Sequence, residues 1–157
     1  MSSAEIKLLP ATTVGQIKSG QVITDVASAV KELVENALDA GASLIDVRLL
    51  DTGFKSIVVT DNGPGMQLTD LNLCCRGHCT SKLSDFRQLG EASTKSYGFR
   101  GEALHSIADM ADKLTITTKC RGAPTATSAI FRRDGTVESL LPNVVLAGQC
   151  GTHILVE

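Results

Sequence analysis

Nowhere in these 157 residues does an apolar run approach the roughly 20 residues that a membrane-spanning helix requires. The start, Met1-Ser2-Ser3-Ala4-Glu5-Ile6-Lys7, also lacks the apolar stretch of a signal peptide. These two absences set a membrane protein and a secreted one aside, and the cytosol or nucleus is expected. Cysteine is present but unorganised: Cys74, Cys75, Cys79, Cys120 and Cys150 form no paired CxxC set, and the odd count argues against a closed disulfide framework. Cys75, His78 and Cys79 are zinc-ligand types, yet their spacing is irregular and a second ligand pair is missing, so ordinary thiols in a reducing compartment are the better reading. Neither sign of charge dominates. With 15 Lys+Arg against 17 Asp+Glu the net charge is −2, which supplies no electrostatic reason for this segment to hold nucleic acid directly. Aromatic residues are scarce too, 3% with no Trp.

What remains is an ordinary globular composition, 43% apolar and 20% charged, at a length that fits one domain with a sizeable core. No internal repeat, low-complexity tract or linker composition divides residues 1–157. The pattern predicts a short helix from Thr12 to Gly20. A longer helix follows from about Thr24, whose hydroxyl suits a cap, to Gly41, a suitable left-handed stop. Its Val26, Val30, Leu33, Val34, Ala37 and Leu38 recur at helical spacing and are expected to face the core. Two apolar runs, Leu44 to Leu50 and Ile57 to Val59, read as a hairpin joined through Asp51-Thr52-Gly53-Phe54. A short helix near Thr69 to Cys74 leads into a polar segment reaching Ser96, which has the character of a lid. Gly101 to Met110 reads as a helix with Ala103, Leu104, Ile107 and Met110 on one stripe. Strands are expected at Leu114 to Thr118, on both sides of Asp134-Gly135, and at Thr152 to Val156. Helices early and strands late favour an α+β two-layer sandwich, with helices over a mixed, mostly antiparallel sheet.

Three segments have the residue types of a reactive site. On the long helix, Glu32, Asn36 and Asp39 stand at i, i+4 and i+7 and project from one face. Spacing alone favours a solvated surface there. A carboxylate one turn from a carboxamide can nevertheless orient a water, while the amide oxygen faces Mg²⁺, an ion that takes oxygen ligands. Glu35, on the edge of that face, competes with Glu32. The second segment, Asp61-Asn62-Gly63-Pro64-Gly65, follows a strand and is ordinary turn chemistry. It also suits a flat base: glycines allow close backbone approach, and the Asp carboxylate can accept from an exocyclic amine. In the third, Gly98-Phe99-Arg100-Gly101-Glu102-Ala103-Leu104, glycines lead into a helix whose exposed amides favour phosphate, with Thr80-Ser81-Lys82 as added hydroxyls and a cation. No GxxxxGK[ST] occurs, and Gly63-x-Gly65 lacks the third glycine of a dinucleotide fingerprint, which sets P-loop and Rossmann sites aside.

Together these segments closely resemble the signatures of the MutL family of DNA mismatch-repair proteins. The resemblance rests on residues 31–42, Lys31-Glu32-Leu33-Val34-Glu35-Asn36-Ala37-Leu38-Asp39-Ala40-Gly41-Ala42, with Asp61-Asn62-Gly63-Pro64-Gly65, Thr80-Ser81-Lys82 and residues 98–104. MutL proteins share an ATPase superfamily with gyrase, Hsp90 and histidine kinases, and the run GFRGEAL is particular to MutL. The resemblance implies a Bergerat-type ATP-binding fold, with ATP and Mg²⁺ as cofactors and residues 1–157 as a single ATP-binding domain, the first part of a longer protein. It implies Glu32 as general base, Asn36 as Mg²⁺ ligand and Asp61 as acceptor for the adenine amine. Gly65 and Thr152 would lie at the adenine end. Thr80, Ser81, Lys82, Gly98, Phe99, Arg100, Gly101, Glu102, Ala103 and Leu104 would wrap the phosphates. A slow Mg-dependent ATPase acting as a nucleotide-driven switch is the implied activity. Ser19-Gly20-Gln21-Val22-Ile23 is similar to eukaryotic PMS-type subunits. That likeness implies a second MutL-type subunit in a heterodimer and a nuclear location, or a cytoplasmic one were the source bacterial. Mismatch-recognition proteins of the MutS type, and DNA through the full assembly, are the further partners implied, with no membrane. Two departures stand out. Gly77-His78-Cys79 differs from relatives, and the γ-phosphate lysine of the family's next subdomain has no counterpart in the chain.

Overall fold

A computed structural model describes residue 23 and residues 25–77 and 102–157. The expected short helix at Thr12 to Gly20, the lid-like segment up to Ser96, and Thr80, Ser81, Lys82 and Gly98 to Gly101 lie outside the described residues.

Helix α1 runs Val26–Asp39. It starts two residues later than the pattern suggests, and its cap is Asp25 rather than Thr24: the Asp25 carboxylate accepts the Ser28 N–H at 2.6 Å. That bond also holds the Asp25 carboxyl below its usual range. At the other end Gly41, at φ +81°, closes a Schellman turn, with Gly41 N–H donating to the Leu38 carbonyl and Ala42 N–H to that of Ala37. The buried stripe is Ala29, Leu33 and Ala37, with Val26 and Val30 packed beside it. Leu38, expected inside, is 43% exposed. It stands about 100° round the helix from Ala37, and so has turned off the face that meets the sheet.

The strands are β1 (Ile45–Leu50), β2 (Ser56–Asp61), β3 (Leu114–Lys119), β4 (Ala126–Phe131), β5 (Val137–Val144) and β6 (Gly151–Val156). Helix α2 (Leu68–Leu73) follows β2, and α3 (Ala103–Met110) precedes β3. The sheet order is β1-β2-β6-β3-β4-β5, and all five pairings are antiparallel. The α+β sandwich expected from the sequence is therefore present, and its sheet has no parallel pair among the described residues. Both hairpins expected from turn chemistry form, β1 with β2 and β4 with β5.

Period-two alternation places Ile57, Val59, Leu114, Ile116, Ile154, Ala129 and Phe131 on the helix-covered face, where they pack with Leu33, Leu71 and Ile107. The other face is a hydroxyl-rich surface. Thr60 pairs with His153 across β2 and β6 at 2.9 Å, and the Thr117 hydroxyl donates to that of Ser128 at 2.9 Å. In α3, Ile107 and Ala108 are buried and Leu104 packs on the core, but Met110, expected on the same stripe, is half exposed. Its place as the last residue of the helix puts it over an apolar groove with Phe54 and Ile23.

Leu33, 1% exposed at the centre of this contact, carries the docking of α1 on the sheet. Leu33→Ala is expected to destabilise the domain by about 2–5 kcal/mol, through lost burial and the cavity left behind. Urea denaturation followed by circular dichroism checks it. A change below about 1 kcal/mol would mean that the site collapses to fill the space.

Candidate functional site

Asp61 ends β2, where it pairs with Ile45 on one side and Thr152 on the other. Its carboxylate accepts the Gly63 N–H at 2.8 Å and a second backbone N–H from Thr152. Burial nonetheless dominates these two bonds and pushes the Asp61 carboxyl above its usual range.

The loop after Asp61 is held on both sides. Asn62 turns back toward the end of α1: its side-chain oxygen accepts the Ser43 and Leu44 N–H groups, each at 2.9 Å, and its amide donates to the Ser43 hydroxyl. This Asn is thus a structural clamp between the helix exit and the strand end. Gly63 lies against Ala40, the C-cap of α1, and a Cβ on it would press on the Asp61 carboxylate. Gly65, at φ +74°, approaches β3 so closely that any Cβ would overlap the Lys119 carbonyl oxygen. Further bonds stitch the loop to β3: Arg121 N–H to the Pro64 carbonyl at 3.2 Å, and the Cys120 thiol to that of Met66 at 3.0 Å.

One residue absent from the sequence-derived set joins these pieces. The buried Thr118 hydroxyl accepts the Met66 N–H at 2.8 Å, and it lies 3.2 Å from the Thr152 hydroxyl and 3.3 Å from the Gly151 carbonyl. It therefore ties the loop after Asp61 to the start of β6. Its signal was the alternation Leu114, Ile116, Thr118, which puts one hydroxyl on an otherwise apolar face.

Thr152 is buried beside Asp61, and Gly65 lies in the same loop, so these three expected residues come together. The helix contributes from above. Asn36 stands one turn before Ala40, and Glu32 one turn before Asn36, on the side of α1 that turns toward Gly63. Between the two candidate carboxylates the ion pairing differs: Lys31 Nζ is 2.9 Å from Glu35 and 4.0 Å from Glu32. Glu35 is thus the carboxylate engaged by the lysine, and Glu32 is the more exposed of the two. Asp39 closes the helix. Of the expected phosphate segment, Glu102 holds the N-cap position of α3 without a side-chain cap bond, and Ala103 and Leu104 pack on the hydrophobic core.

One cavity borders this frame and a second lies away from it. The first, of about 210 Å³, lies beside the loop, lined by Met66, Leu71, Thr118, Cys120 and Thr127 among others. The larger, about 270 Å³, lies at the opposite end of the sheet between Val26, Phe54, Ile57, Ile107 and Met110. It is mainly apolar and has none of the convergent polar groups found around Asp61.

Residues 23–140 match the family of histidine kinase-, DNA gyrase B- and HSP90-like ATPases, and the chain belongs to that family. Within it, the similarity runs to the MutL-type mismatch-repair proteins. The chain is 41% identical over 155 residues to DNA mismatch repair protein MLH1 of Saccharomyces cerevisiae, covering 99% of this chain and 19% of the relative. It is 42% identical over 152 residues to DNA mismatch repair protein pms1 of Schizosaccharomyces pombe, covering 97% and 18%. With MutL of Chlamydia muridarum the identity is 43% over 157 residues, covering 92% and 27%. The chain therefore spans between 18% and 27% of the length of these curated relatives. Among solved structures, the N-terminal domain of a DNA repair protein aligns with a TM-score of 0.68 at 35% identity, over 92% of this chain and 38% of that one. The Aquifex aeolicus MutL ATPase domain in complex with ADP aligns at 0.58 and 24% identity, over 87% and 43%, a likeness of fold. Among the described residues, no helix is long and apolar enough to cross a membrane.

The half-buried Asp61 carboxylate sets a stability test. Because burial raises its folded pKa above the unfolded value, the folded state binds the extra proton between the two, and stability rises as pH falls through that window. Above the window the charge is buried at a cost. Asp61→Asn is accordingly expected to show a higher urea midpoint than the parent at pH 7, with the gap closing as pH falls through the carboxylate range. A lower midpoint at pH 7 would mean that the two N–H bonds outweigh desolvation.

Proposed function

We propose that this chain is the ATP-binding and slowly ATP-hydrolysing region of a MutL-type DNA mismatch-repair protein, working as a nucleotide-dependent switch. The observation that carries this reading is Asp61. A carboxylate half-buried at a strand end, beside glycines that let the backbone pack closely, supplies an acceptor that suits the adenine amine. Thr152 closes the same end, hydrogen-bonded to Thr118.

Glu32 is the proposed general base, orienting water toward the γ-phosphate. The ion pair that engages Glu35 favours this choice over its neighbour. Asn36 supplies one amide oxygen to Mg²⁺. Such an ion takes oxygen ligands and completes its shell with waters and substrate phosphates. The ion would neutralise charge on the transferring phosphoryl group. Thr80, Ser81, Lys82 and residues 98–102 carry the phosphate contacts on the strength of their motifs. Ala103 and Leu104 support them differently, by seating α3 on the core.

The chain is several times shorter than its relatives, and we read residues 1–157 as one ATP-binding domain at the start of a longer protein. The partners that follow are a second MutL-type subunit, forming a heterodimer, MutS-type recognition proteins, and DNA through the whole assembly in the nucleus.

Isothermal calorimetry with ATP and Mg²⁺, on this chain and on the longer protein, tests the reading. Binding with preference over GTP is expected, and no binding by either form overturns it in favour of a non-hydrolysing interaction module. In the longer protein, Glu32→Ala should keep ATP affinity within a few-fold and lower turnover by roughly two orders of magnitude or more, the scale of a lost general base. Unchanged turnover would transfer the role to Glu35.

A further inference from the structure

Two thiols stand side by side on the turn after α2, outside the frame around Asp61. Cys74 is the C-cap of that helix and Cys75 follows it, with their sulfurs 3.8 Å apart. Cys74 is half-buried, and its thiol donates to the Leu71 carbonyl at 3.3 Å, whereas Cys75 is fully buried. The Cys75 backbone is gripped from two sides. His105 of α3 donates from Nδ1 to its carbonyl at 3.1 Å, and Gly135 of the β4–β5 turn lies so close that a Cβ there would overlap the same oxygen. The sulfurs are thereby kept next to one another by the surrounding fold.

Their geometry discriminates between two kinds of dithiol chemistry. Across a trans peptide, neighbouring Cα atoms lie about 3.8 Å apart, short of the ~4.4–6.8 Å that disulfides span, and no peptide in the described chain is cis. A disulfide between Cys74 and Cys75 would be strained, and strained disulfides are the labile ones in a reducing compartment. A bridging atom bonded to both sulfurs avoids that compression. Sites that need three or four protein ligands are absent among the described residues. A trivalent arsenic centre that already carries one organic group needs only two sulfurs.

We propose that Cys74 and Cys75 form a chelating dithiol site for trivalent organoarsenicals. The half-exposed Cys74 thiol reacts first and the buried Cys75 closes the ring. For an arsine oxide, two As–S bonds form, the As–O linkage is lost, and the oxygen leaves as water with the two thiol protons. Arsenic remains trivalent, so no oxidant or reductant is needed. The hydrogen bond to Cys74 and burial both push the Cys75 thiol above its usual range, and ring closure is therefore the slow step.

Phenylarsine oxide, added to the intact chain and followed by native mass spectrometry, tests this. One adduct per chain is expected, retained in excess 2-mercaptoethanol, released by dithiothreitol, and formed in two kinetic phases. Cys74→Ser and Cys75→Ala should each lose the monothiol-resistant adduct while keeping the parent's circular dichroism spectrum. Cys79→Ser, Cys120→Ser and Cys150→Ser should retain it. A resistant adduct that survives Cys74→Ser, or disappears in Cys79→Ser, overturns the proposal. Because Cys75 is buried and its variant is the one exposed to misfolding, the half-exposed Cys74→Ser decides the matter alone.

Discussion

β6 enters the sheet between β2 and β3, and that entry depends on a residue without a side chain. Gly151, at φ +143°, passes so near the Asp61 backbone that a Cβ would overlap the carbonyl oxygen. Without this close passage the β1–β2 hairpin and the β3–β4–β5 meander would be separate sheets, since no other strand among the described residues pairs with both. The same passage puts Asp61 opposite Thr152 and Thr118 opposite Thr152, although these positions are far apart along the chain. The strand that completes the fold therefore also assembles the site. Such distant pairings are slow to form, because loop closure precedes the contacts that reward it.

The polar groups gathered there are costly, and the structure shows how the cost is held down. Asp61 keeps two backbone donors, Thr118 uses its hydroxyl as both acceptor and donor, and Asn62 satisfies two amides of the loop following α1. No buried side-chain nitrogen or oxygen among the described residues lacks a partner. Yet the Asp61 carboxyl is still displaced upward, so hydrogen bonding has not cancelled desolvation.

Much of this was legible in advance because the signals were local. The α+β class, the two hairpins, Gly41 as helix stop and the strand at β6 all follow from periodicity and turn chemistry that operate within a few residues. Errors arose where a choice depended on contacts that only the folded chain defines. Thr24 and Asp25 are both good caps in sequence, and only the bond to Ser28 separates them. Leu38 and Met110 satisfy helical periodicity, yet both are left exposed in the folded chain. Ala29, not among the residues expected on the core face of α1, is buried there with Ala37, as a helix lying close on a sheet needs small residues at the contact. Within the site, Asp61 and Gly65 were visible as a motif, whereas Thr118 was not: its role exists only once β6 lies beside β3.

Spacing along the apolar stripe does not separate Glu32 from Glu35, but the ion pairs on the helix surface do. Both lie on the polar side of α1, and both are within reach of a lysine that precedes them. Lys31 and Glu35 form the i, i+4 neighbour pair on the helix surface, so that the cation settles on Glu35 and leaves Glu32 at the limit of ion-pair distance. The closer ion pair commits Glu35 in orientation, whereas the more exposed Glu32 keeps more of its surface open to water. A lysine beside the two acids thus differentiates them using only helix geometry. It does so one turn from Asn36, whose side lies toward the loop that Gly63 packs against Ala40.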